Sequence, residues 1–163
     1  MKKIGIVAFA FGGPGTTEPN LIIAEFSSED ARKSGCGVYT EYDVWVDSDI
    51  IVEYIKKGQK SPPSTLQIAR GAIRWAEKYE INELRIVAAK PRLKRAMRDV
   101  KKAIQDAQVS INVCACQEIQ ELSEDIWYSP YSKQNKTHSL LSWKIAEVVL
   151  ERLPFFIYER IHN

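Results

Sequence analysis

Three stretches of this chain, Lys3 to Phe11, Leu84 to Ala89 and Val109 to Cys116, are rich in β-prone apolar residues and are separated by segments of helical spacing. A run without polar alternation suits a strand covered on both faces. Strands that alternate with helices through short links give a parallel sheet flanked by helices. With 163 residues, there is material for one domain with a sizeable core and too little for two. The expectation is a single three-layer α/β domain with a mainly parallel sheet of four to five strands.

The remaining elements follow from local signals. Leu21 to Lys33 reads as a helix that Gly35 stops at the position after its C-cap. Val38 to Val46 alternates well enough for a further strand, and Asp49 to Lys57 reads as a short helix before Gly58. Ser61-Pro62-Pro63 breaks the chain, after which Ser64 and Gln67 have capping-box spacing for a helix to about Tyr79. Pro91 suits the first turn of a helix that runs to about Ala107. The α/β core thus spans residues 3–116. An aromatic and polar loop without a clean period fills 117–136, and a C-terminal helix, 137–161, bends at Pro154.

A net charge of +2 creates no whole-molecule field, so a basic site has to be local. Three cysteines and a short, glycine-terminated first apolar run point to a cytoplasmic protein rather than a secreted one. No segment approaches the roughly 20 apolar residues that span a bilayer. Cys114-Ala115-Cys116 lacks the second Cys/His pair that zinc sites use, so no metal is expected.

Right-handed crossovers place every strand-to-helix loop at one edge of a parallel sheet, and ligands of open sheets bind there. Two loops stand out. Gly12-Gly13-Pro14-Gly15 leaves the first strand, where Gly12 and Gly13 permit close backbone approach and Thr16 and Thr17 add hydroxyls. The second, AAKPRLKRAMRD from Ala88 to Asp99, opens a helix with Lys90, Arg92, Lys94 and Arg95. A helix start exposes N–H donors and partial positive charge, so each cation there costs roughly 0.3–1 kcal/mol. A bound anion reverses that sign, and Arg92 and Arg95, three residues apart, can converge on one group. Thr65 and Gln67 begin the helix after Ser64 near the same edge, although Gln67 is accounted for by the capping box. Tyr128 and Tyr131 are placed to close over the ligand.

The order of these elements, with Thr65 and Ala69 in the second and Arg95-Ala96 in the third, resembles the SanA/ElyC/YdcF-like family. The similarity covers roughly Lys3 to Cys116. It implies a Rossmann-like domain holding an anionic or nucleotide-like ligand at the strand edge, in a family of largely unassigned function. Gln67 stands where that family has glutamate, Ile68 where it has asparagine, and Arg92 where it has histidine. The last departure removes the best general acid/base candidate. No reaction follows from the residues that remain.

The expected ligand site is therefore Gly12, Gly13, Thr65, Gln67, Lys90, Arg92 and Arg95, for a small anionic, nucleotide-like molecule. Two rival readings belong to other classes. The Lys90–Lys102 helix would bind nucleic acid, though it lacks the interleaved aromatics that RNA binders use. The segment IWYSPYSK, from Ile126 to Lys133, would serve a protein partner or hold a homo-oligomer together.

Overall fold

The computed structural model describes residues 2–55, 63–132, 134–155, 157 and 160. Among them, five strands form one wholly parallel sheet: β1 (Ile4–Phe9), β2 (Val38–Thr40), β3 (Val52–Tyr54), β4 (Glu83–Ala88) and β5 (Asn112–Ala115), in the order β3-β2-β1-β4-β5. The helices are α1 (Glu18–Ser34), α2 (Thr65–Lys78), α3 (Lys90–Ala107) and α4 (Leu140–Arg152). The domain is α/β, Rossmann-like and three-layered.

The absence of polar alternation in β1 has the expected cause, since both faces are buried. Val7 and Phe9 point into one core with Ile68, Ile73 and Trp75 of α2 and Ala96 and Val100 of α3. Ile6 and Ala8 point into the other, which holds Ile23 of α1, Phe11, Trp127 and Trp143. Local signals fixed several ends. Gly35 takes a left-handed conformation (φ 60°) after α1 and returns its N–H to that helix. Ser64 and Gln67 form a reciprocal capping box at α2, with Ser64 N–H donating to Gln67 Oε1 at 2.8 Å.

The helix expected over Asp49 to Lys57 is instead strand β3, with Lys56 and Lys57 outside the described residues. Two of its three residues, Val52 and Tyr54, are β-branched or aromatic, and β2 offers an open edge: Ile55 N–H donates to the carbonyl of Thr40 and Val38 N–H to that of Ile51. Conversely, β2 ends at Thr40 rather than Val46, because Glu41 to Val46 turns away from the ladder. The C-terminal helix starts later than expected, at Leu140, and is interrupted where the bend was expected: α4 ends at Arg152, Leu153 is extended before Pro154, and the residues described beyond it, Phe155, Ile157 and Arg160, are helical again. Residues 117–136 contribute three short 3-10 turns, and the buried Trp127 ends the middle one. No helix among the described residues is long and apolar enough to cross a membrane.

Candidate functional site

The sheet reverses its winding between β1 and β4, so the loops leaving those two strands part at the carboxyl edge, which is where ligands of open parallel sheets bind. Arg92, in the first turn of α3, lies there and is buried. One guanidinium nitrogen donates to the carbonyl of Ala10 and, at 3.2 Å, to Glu41 Oε1. The other donates to Thr65 Oγ1 at 3.1 Å. The carbon of the guanidinium sits 5.5 Å from the centre of the Phe9 ring. Thr65 and Arg92, 27 residues apart in the chain, are thus brought together at the edge.

Glu41 is the residue that sequence reasoning missed. It directly follows β2, accepts the Ala10 N–H at 2.8 Å and is 8% exposed. Burial pushes its carboxyl above the ordinary range, against the opposing pull of Arg92 and the Ala10 N–H. Its position inside an apparent strand, 38–46, hid it. Asn20 was missed as well. Fully buried in the first turn of α1, it accepts from Phe11 N–H and donates to the carbonyls of Gly12 and Pro14, which pins the glycine loop.

That loop is tightly packed. Gly12 has φ 74°, and a Cβ there would fall 2.7 Å from Thr137 Oγ1 and nearer still to Ser132 Oγ. A Cβ on Gly13 would lie 3.1 Å from Asp43 Oδ2. Glycine is required at position 12 for both reasons, backbone conformation and space.

The remaining expected residues disperse. Arg95 does not converge with Arg92; it is 4% exposed and pairs at 3.0 Å with Glu147 of α4, over the Trp143 ring. Gln67 is held in the capping box, and Lys90 is exposed. Two of the four cations at the start of α3, Arg92 and Arg95, therefore meet carboxylates from distant segments. Arg98 pairs with buried Asp99, and Lys102 with Asp106, within the helix itself. Helix α4 docks on this basic face, where Trp143 Nε1 donates to the Pro91 carbonyl and Arg98 to that of Leu150.

A cavity of about 410 Å³ lies on the α1 side of the glycine loop, between Pro14–Pro19 and Ile126–Tyr131. Tyr128 and Tyr131 line it, whereas none of the seven expected ligand contacts does. Burial, with Glu124 and Glu147 nearby, raises the Tyr128 phenol to about 12, so it stays protonated. Burial likewise raises the Cys116 thiol to about 11, which makes it a poor nucleophile at neutral pH. Among the described residues, no three His, Cys, Asp or Glu side chains cluster as a metal site.

No family model matches this chain, and no curated protein matches its sequence.

Proposed function

We propose that this domain binds a small anionic, nucleotide-like molecule at the carboxyl edge, between the Gly12-Gly13 loop and the start of α3. The observation that carries this reading is Arg92, a guanidinium buried at the edge where the sheet reverses its winding, beside the hydroxyl of Thr65. A buried arginine is costly unless its charge is answered, and a forked donor suits phosphate or carboxylate. Glu41 answers that charge in the ligand-free protein. Its raised pKa makes it a proton-controlled competitor, since an arriving anion is favoured once the carboxyl is protonated. Lys90 stands exposed at the rim as a further attraction.

The nucleic-acid reading draws less support from α3, because four of its cations have carboxylate partners. Arg92, Arg95, Arg98 and Lys102 are engaged by Glu41, Glu147, Asp99 and Asp106.

Calorimetric titration with inorganic phosphate and with adenosine monophosphate at pH 5 and pH 8 tests the proposal. Relative to Glu41→Gln, which shares the ligand's own ionisation at roughly pH 6, wild type should bind comparatively better at the lower pH. Glu41→Gln should raise affinity at pH 8, and Arg92→Lys should lower affinity by about tenfold or more through loss of the fork. No binding to wild type or to Glu41→Gln at either pH would overturn it.

A further inference from the structure

We infer that the outward face of α4 lies against an anionic lipid surface, its apolar stripe seated at the acyl boundary and the basic side chains around it on the headgroups. The inference is independent of the ligand site and starts from a helix whose sides are reversed. Leu141, Ile145, Val148 and Val149 recur at the three- and four-residue spacings that share one helix face, and they are between 50% and 71% exposed. The opposite face carries Trp143 and Glu147, both buried, and half-buried Leu150. A carboxylate therefore faces the protein while four aliphatic side chains face outward, the reverse of a helix docked to bury its own apolar surface.

Rolling α4 to bury that stripe would break three contacts. Trp143 Nε1 donates to the Pro91 carbonyl at 3.1 Å, Glu147 pairs with Arg95 at 3.0 Å, and Arg98 donates to the Leu150 carbonyl at 3.3 Å. These contacts succeed one another along both helices, so α4 is fixed on α3 over about two turns with the aliphatic face turned away. The result is a convex apolar ridge, the shape of a helix that beds into a bilayer surface.

The charges around the ridge select the kind of surface. Lys144 lies exposed beside the stripe and Arg152 exposed at its end, and among the described side chains of α4 the exposed charges are all positive. On α3, Pro91, Arg95 and Arg98 meet α4, and Lys94 and Lys101 are exposed next to that line. Aliphatic residues flanked by Lys and Arg are the pattern of a helix that lies in the interface of an anionic bilayer. A second copy of the chain would present the same sign of charge, which disfavours this face as a dimer contact.

Flotation of the intact chain with vesicles tests the proposal, using phosphatidylcholine alone and phosphatidylcholine with about 30% phosphatidylserine. The protein should bind the anionic vesicles about tenfold or more tightly than the neutral ones, and raising salt should release it. Ile145→Ser with Val149→Ser should weaken binding about tenfold or more, and Lys144→Gln with Arg152→Gln should remove most of the preference for phosphatidylserine. Ile51→Ser, at an exposed aliphatic residue outside α4, should change nothing. Near-UV circular dichroism checks that the variants remain folded.

No flotation with either vesicle would overturn the proposal, as would flotation that Ile145→Ser with Val149→Ser leaves intact, or equal binding to both vesicles at every salt concentration. Light scattering that shows a dimer dissolved by the same pair of substitutions, without flotation, would give the face to a second copy and overturn it too. Retention on polyglutamate but not on anionic vesicles would give the face to an acidic protein, again against the proposal.

Discussion

Two groups of arginines in this molecule meet carboxylates in opposite surroundings. On α1, Arg32 reaches both Asp47 and Asp49 at the surface, where all three side chains are about half exposed. On α3, Arg92 and Arg95 reach Glu41 and Glu147 with almost no exposure on either side. The contact geometry is similar, and the energetics are not. Water screens the surface cluster, so losing a partner there costs little. A buried pair gains less from being formed than it loses when one member is removed, since the survivor keeps an unanswered charge. The comparison shows that burial of the group, rather than the number of ion pairs, decides which arginines hold the fold together.

The most forceful way to break this comparison is Arg95→Ala. It strands Glu147 against α3 and also removes the contact with Trp143, so a loss of about 3–5 kcal/mol is expected in denaturant unfolding. The double variant Arg95→Met with Glu147→Leu should recover most of that loss. If the double variant is as unstable as the single one, uncompensated charge is not the cause.

The next test is pH. Glu41 has a folded-state pKa above its ordinary 4.5, so the folded protein binds its proton more strongly than the unfolded chain does. Its contribution to stability is complete below that ordinary value and is lost as pH rises through the raised one. Wild type should therefore lose stability relative to Glu41→Gln from about pH 4.5 upward, which a series of urea midpoints would show. A difference that stays constant with pH would count against the raised value.

A smaller, purely local effect calibrates these two. Ser64→Ala removes one half of the α2 capping box and should cost about 1 kcal/mol, independent of pH over the same range. Last comes Arg32→Ala, which should leave the thermal midpoint within measurement error, although Arg32 holds the Asp49 carboxyl below its usual range. A large drop there would remove the distinction drawn between surface and interior.

The same split between local and distant contacts explains what could be read from the amino-acid order. Gly35, Ser64, Gln67 and Pro91 act on residues a few positions away, so the ends of α1, α2 and α3 were visible. The unbroken apolar runs of β1 and β4 stated their own burial. Asp49 to Lys57 misled because its spacing fits a helix while the open edge of β2, supplied by another segment, makes a strand of it. Arg92 and Thr65 were legible as site candidates from position alone, since both begin helices at one sheet edge. The carboxylates that face Arg92 and Arg95 were not, because no local pattern couples Glu41 or Glu147 to α3. The turn that takes Glu41 out of β2 is local, but the Ala10 N–H that its carboxylate meets lies 31 residues away.

Phe11 closes the first strand's exit and packs on Trp143 with centroids 4.5 Å apart, in the same core that Trp127 completes. These partners are separated by most of the polypeptide. During synthesis the amino-terminal strand is made first, and its α1-side face stays partly uncovered until the last third emerges. A ribosome that stalls before Trp127 would leave a nascent chain with an open apolar seam, and chaperone capture is the natural fate of such an intermediate.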